Sequence, residues 1–226
     1  MENIRGIIFD LDDTLYPYRQ FVMSGFGAVA EWLEDRTDLP FGRSFPFLKE
    51  RFDAGERHTN LDTLVERFGL ECKLLPKIVS IYRKHRPIIR CFPDAEQLIA
   101  SLPSHIRKGM VTDGHSQTQR RKLRALGLEG AFSPLLISEE MGPAFRKPSE
   151  RPYLLVMEQW EMKPSEILVA GDDPSRDLMM PRQLGMNTAL VCHPSAAAGR
   201  VGTVGRGCAD FVVRDFRKLA TILSES

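Results

Sequence analysis

Ile4-Arg5-Gly6-Ile7-Ile8-Phe9-Asp10-Leu11-Asp12-Asp13-Thr14 is the stretch from which the fold can be read. A short apolar run gives way at once to acidic residues and a threonine, as a strand covered on both faces does where it leaves its sheet. In extended chain alternate side chains share a face, so Asp10 and Asp12 point together while Leu11 opposes them. Two carboxylates held that close repel unless a cation or a shared proton relieves them. Taken alone, Asp-Asp-Thr is equally an acidic turn or a helix N-cap. Its place at the C-terminal end of a strand favours a ligand site, because open α/β sheets bind there.

Working outward, apolar runs that end in turn residues recur at 108–112, 134–138, 166–170, 187–191 and 210–213. Helical spacing lies between them. Pro93-Asp94 opens one helix, with Ala95, Leu98, Ile99 and Leu102 at i, i+3, i+4 and i+7. Residues 117–126 and 152–160 read as two more, the second with Tyr153, Val156, Met157 and Trp160 on one face. This alternation from about residue 88 predicts a doubly wound parallel α/β sheet. The stretch 15–87 differs. Val22, Phe26, Val29, Ala30 and Leu33 follow helical spacing, 61–68 and 74–82 repeat it, and no strand pattern intervenes. Pro40-Phe41-Gly42-Arg43 and Asp53-Ala54-Gly55 read as turns. The expectation is an α/β core of residues 1–14 and 88–226, interrupted by a helical insertion over 15–87 that is too long for an ordinary βα connection. The Ala- and Gly-rich segment 195–207 reads as a flexible loop.

Composition sets bounds. With 226 residues, 42% of them hydrophobic and 27% charged, the chain can build a sizeable core, which excludes extensive disorder. A net charge of +1 gives no field for sequence-independent nucleic-acid binding. No apolar run approaches the roughly 18 residues of a membrane span. Cys72, Cys91, Cys192 and Cys208 are scattered, with no Cys-x-x-Cys pair, and Met1-Glu2-Asn3 begins no secretory leader. A cytoplasmic protein with reduced thiols is expected, and nothing in the sequence sets its oligomeric state.

Three further motifs follow strands. In Val111-Thr112-Asp113-Gly114 the Thr112 hydroxyl and nearby amides could hold a phosphate oxygen, although Thr-Asp-Gly is also ordinary turn chemistry. In Arg146-Lys147-Pro148, Lys147 could set a fixed positive charge against a phosphate or an anionic nucleophile; a solvated lysine before a turn is the commoner case. In Gly171-Asp172-Asp173-Pro174-Ser175-Arg176-Asp177, hard oxygen ligands at a strand exit favour Mg²⁺, with N-capping by Asp173 or Ser175 as the plain alternative.

In this order the four motifs resemble those of the haloacid dehalogenase-like (HAD) hydrolase superfamily, and the insertion resembles the helical cap of its subfamily I members. The resemblance spans essentially the whole chain. It implies a Rossmann-like core, Mg²⁺ as cofactor and a small phosphorylated molecule as substrate. Asp10 matches the nucleophile and Asp12 the general acid/base, whose main-chain carbonyl also binds the metal. Thr112, with Asp113 beside it, matches the phosphate-binding position, Lys147 the neutralising lysine and Asp172 the main metal ligand of the fourth motif. Asp173 or Asp177 would bind metal directly, through water, or orient Lys147. A carboxylate at position 12 separates the chain from the true dehalogenases, whose halide leaving group needs no proton. None of Lys49, Lys73, Lys77 or Lys84 has a motif around it of the kind a Schiff-base lysine would carry. Hydrolysis of a nucleotide or sugar phosphate is therefore expected. A phosphosugar mutase, a phosphoaspartate receiver and a catalytically idle binding protein are the alternatives, the receiver disfavoured by the early first motif and the insertion. Asp113 stands where many relatives carry Asn, and the bulky segment 141–146 precedes Lys147; both could shift substrate preference. Arg19, Arg43, Arg51, Arg57 and His58 could meet a second polar group but are by default surface charges. His115 is the histidine nearest a motif.

Overall fold

The computed structural model describes residues 4–194 and 207–224. The six apolar runs form strands β1 (Gly6–Phe9), β2 (Arg107–Thr112), β3 (Leu135–Ile137), β4 (Ile167–Gly171), β5 (Asn187–Val191) and β6 (Phe211–Val213). They pair in parallel in the order β3-β2-β1-β4-β5-β6, with Gly6 opposite Arg107 on one side and Ile167 on the other. The order runs outward from β1 in one direction and from β4 in the other, so the strand order reverses between them. That is where an open α/β sheet leaves a crevice beyond its C-terminal ends.

All four residues of β1 and all five of β4 are buried, which accounts for their unbroken apolar sequence. The helices of this part are α5 (Pro93–Ser101), α6 (Ser116–Ala125), α7 (Ser138–Met141), α8 (Arg151–Trp160), α9 (Met179–Gln183) and α10 (Phe216–Ser224), following α1 to α4 of the insertion in chain order. Tyr153, Val156 and Trp160 of α8 pack on Ile8, Val111 and Val169. The indole lies so close to β1 that a methyl group on Gly6 would come within 2.5 Å of it, and Trp160 Nε1 donates to the Ser133 carbonyl at 2.9 Å.

Arg19–Ile89 form a second compact unit, separate from the described residues on either side of it. It holds α1 (Tyr18–Arg36) beyond its first residue, α2 (Phe41–Asp53), α3 (Asn60–Arg67) and α4 (Leu75–Lys84). Here one reading is corrected: Phe41, Gly42 and Arg43 do not form a turn but open α2. Pro40 sits at its N-cap, where the missing N–H costs nothing, and its carbonyl accepts from Arg43 and Ser44 at 3.0 and 3.1 Å. The Phe41 amide donates to Glu34 at 2.9 Å. Ser44, Leu48 and Phe52 are then buried on one face, and that burial outweighs Pro46 inside the helix. Gly55, at φ +98°, ends the segment with the turn expected there. No described helix is long and apolar enough to cross a membrane. The loop expected at 195–207 lies, except for Gly207, outside the described residues.

Candidate active site

The ends of β1, β2 and β4 bring the motif residues together. The Asp10 amide donates to the Ala170 carbonyl at 2.9 Å, fixing the exit of β1 beside that of β4. The chain then turns sharply. Leu15 N bonds the Leu11 carbonyl, Asp13 adopts φ 59°, which aspartate tolerates better than most residues, and its carboxylate accepts from the Tyr18 amide at 2.9 Å.

Lys147 is the hub. Its Nζ donates to Asp10 Oδ1 at 2.6 Å and to Asp177 Oδ1 at 2.8 Å, with only 2% of the side chain exposed. A buried ammonium is stable only when paired in this way. Burial works against the charge, but Asp10 and Asp177 outweigh it and hold the lysine well above its usual range. For Asp10, burial is the largest influence and raises the pKa; Lys147 pulls it down, Asp177 pushes it up, and it stands at about 7. Thr14 Oγ1 donates to its second oxygen at 3.3 Å.

The fourth motif divides its labour. Asp173 accepts from the amides of Ser175 and Arg176 and from the Ser175 hydroxyl, so it caps the π-helical turn Pro174–Leu178 that follows. That turn swings Asp177 back. Its Oδ2 accepts from the Asp173 amide at 3.0 Å, and its main-chain carbonyl accepts from the buried Tyr153 hydroxyl at 3.1 Å. A methyl on Gly171 would lie 2.4 Å from Asp177 Cβ, so only glycine lets β4 end this close. Asp10, Asp172 and Asp177 each bring a carboxylate oxygen within 4.8 Å of the others.

Asp12 lies outside that cluster and has partners of its own. Both its oxygens accept from Lys122 Nζ, at 2.8 and 2.7 Å, one from the Tyr16 hydroxyl at 2.5 Å and the other from Gln119 Nε2 at 3.3 Å. Burial, reinforced by Asp12, keeps the Tyr16 hydroxyl protonated well above its ordinary range. Gln119 also donates to Thr112 Oγ1 at 2.7 Å, which leaves the threonine's own proton to donate elsewhere. Asp113 adds little net charge, because Arg176 Nη2 pairs with it at 2.8 Å; its other oxygen accepts from the Lys147 amide at 3.4 Å. His115 lies 3.8 Å from Glu139, outside these contacts.

Lys122, Gln119, Tyr16 and Tyr153 lie outside the motifs, and Arg176, although inside the fourth, carries no role that the motif reading assigns. One signal existed for the first two: on α6 the buried positions are Thr118, Gln119, Lys122 and Leu123, a helical stripe that carries an amide and an ammonium inward.

A parallel sheet with carboxylates gathered at its switch point presents a candidate ligand site at the strand ends, as open α/β folds do. Residues 4–185 match the model of the haloacid dehalogenase-like hydrolases, and the chain belongs to that family of hydrolytic enzymes. It is 28% identical to a glyceraldehyde 3-phosphate phosphatase of Methanocaldococcus jannaschii, over 83% of this chain and 85% of that one. It is 26% identical to a ribulose-1,5-bisphosphate 5-phosphatase of Halopiger xanaduensis, over 82% and 83%. Among solved structures it resembles the HAD-hydrolase YfnB of Bacillus subtilis bound to magnesium, with a TM-score of 0.72, 21% identity, and 98% and 99% of the two chains covered.

Proposed function

We propose that the protein is a phosphatase that hydrolyses a small phosphate monoester, a sugar phosphate or nucleotide, with Asp10 as nucleophile and Mg²⁺ held by Asp10, Asp172 and the Asp12 main-chain carbonyl, with Asp177 beside them. The observation that carries this reading is the Asp10 carboxylate, gripped at 2.6 Å by a buried ammonium that Asp177 shares, with a third carboxylate within reach. The donor set fits the ion. All three side chains offer hard oxygen ligands, and three carboxylates around one ammonium leave a deficit of positive charge. Bound there, Mg²⁺ would screen Asp10 from the phosphoryl group and stabilise the charge of the group in transfer.

The chain's own residues supply the rest. An Asp10 oxygen attacks phosphorus, the bond to the leaving oxygen breaks, and Asp12 gives that oxygen its proton. Water then attacks the aspartyl-phosphate, Asp12 takes a proton from it, and the bond from phosphorus to Asp10 breaks to release inorganic phosphate. Lys147 neutralises Asp10 and the phosphoryl oxygens, and Thr112 donates to one of them. The unit Arg19–Ile89 acts as the cap that selects the substrate. The two phosphatases above act, by their names, on a three-carbon phosphate and a sugar bisphosphate, which favours small sugar phosphates over nucleotides.

The test is phosphate release from p-nitrophenyl phosphate and from a panel of sugar phosphates and nucleotides, with Mg²⁺, with chelator, and with Asp10→Asn. Turnover that needs the metal and disappears in the variant is the expected result. Folded, Mg²⁺-loaded protein that releases phosphate from no member of the panel, or phosphoryl exchange between sugar positions without release, would sink the reading.

A further inference from the structure

We propose that Lys122 is a positioning residue for Asp12, holding its carboxylate on the α6 side of the site so that it serves proton transfer and does not join the Asp10–Asp172–Asp177 cluster. The inference rests on the phosphatase reading. Its basis is a division of partners. The site holds two buried lysines and two carboxylates of the first motif, and each lysine takes one: Lys147 binds Asp10, and Lys122 binds both oxygens of Asp12. The two aspartates lie only two residues apart at the end of β1, and Asp12 is close enough to Asp10 to raise its pKa. A cation bound at the Asp10–Asp172–Asp177 cluster would draw a neighbouring carboxylate into its ligand set. Lys122 supplies the opposing pull from a side chain that is 4% exposed, while that of Asp12 remains 28% exposed and open to a reactant.

The surroundings make the hold directional. Tyr16 approaches one oxygen and Gln119 the other, and the Tyr18 ring lies 5.1 Å from Lys122 Nζ, which confines the ammonium. Gln119 sits one helical turn before Lys122 and is also hydrogen-bonded to Thr112, so α6 sets the acid/base and the phosphate-binding hydroxyl in one frame. A lysine with no role beyond stability has no need to engage both oxygens of the one carboxylate that is expected to move protons.

The test compares kcat/KM for a poor leaving group, glycerol 3-phosphate, and a good one, p-nitrophenyl phosphate, in wild type, Lys122→Met and Lys122→Arg. An alkoxide leaving group needs the proton from Asp12, whereas p-nitrophenolate scarcely does. Lys122→Met is expected to lose about 100-fold or more on glycerol 3-phosphate and less than about 5-fold on p-nitrophenyl phosphate. Lys122→Arg is expected to recover part of the difference. A merely structural role lowers both esters alike, and that result overturns the inference. If the wild type hydrolyses neither ester, the inference is judged by Mg²⁺ titration without substrate, and the phosphatase reading fails only if no member of the panel releases phosphate. Lys122→Met then binds Mg²⁺ several-fold more tightly, through the released Asp12 carboxylate, and Lys122→Met/Asp12→Asn does not. Equal affinity in Lys122→Met and wild type overturns it on that arm.

Discussion

At the scale of single residues, the site is a problem in charge placement, and Lys147 bears most of it. Removing one partner of a buried ion pair leaves the others uncompensated, at a cost of about 3–5 kcal/mol. Lys147→Met should therefore lose about that much stability in chelator, read from the denaturant midpoint, and Mg²⁺ should restore part of it. A loss below ~1 kcal/mol would mean that the carboxylates do not depend on the lysine. The Asp113–Arg176 pair is a contrast: Arg176 is half exposed, so Asp113→Asn is a change of about 0–1 kcal/mol. Asp10 and Asp113 were equally visible as sequence and are similarly buried; the exposure of their partners, 2% for Lys147 and 51% for Arg176, separates them. Lys122 was hidden for a related reason. In Arg120-Arg121-Lys122-Leu123-Arg124 it reads as one of four cations on a solvated helix, and its inward direction depends on where α6 meets the sheet.

At the scale of elements, the strands were legible because burial on both faces writes itself as an unbroken apolar run; 187–191 was read to the residue. The helix α2 was not, since Pro40, Gly42 and Pro46 all speak against a helix, and what overrides them is a tertiary contact face with no local signature. The turn at Pro174–Leu178 was legible only at its start, where Asp173 caps it; the π-helical geometry that delivers Asp177 to Lys147 has no local signature. Its weak point is the strand end before it. Gly171→Ala would push a methyl into Asp177 and displace that carboxylate, so kcat should fall by about 100-fold while far-ultraviolet circular dichroism stays unchanged. Retention of most of the activity would show that the close approach of β4 to the turn is not needed.

At the scale of the whole molecule, metal and pH act together on stability. Asp10 stands at about 7 against an ordinary value of 3.8, so between those limits the folded protein keeps a proton that the unfolded chain has released. The stabilisation from this group is complete below about pH 4 and is lost as pH rises towards 7. On the proposed reading, Mg²⁺ held by Asp10 must displace the same proton. Its apparent affinity should climb by up to about tenfold per pH unit from 5.5 to 7 and level off above, as measured by calorimetric titration. At about 100 times its Kd the ion then adds about 2.7 kcal/mol, or roughly 5–10 °C in Tm for a domain of this size. An affinity that is the same at pH 5.5 and pH 7.5 would contradict the shift in Asp10.

The strand order also carries a consequence for how the chain is made. Of the described strands β1 is the first to leave the ribosome, yet it ends in the middle of the sheet, with one neighbour starting at Arg107 and the other at Ile167. At about 5–20 residues per second, its second edge waits roughly 8–30 s for a partner. Throughout that interval the nascent polypeptide carries a sticky apolar tetrapeptide whose natural occupant has not yet been translated. Asp10 acquires its last companions, Asp172 and Asp177, only after about 160 further residues have been joined to it.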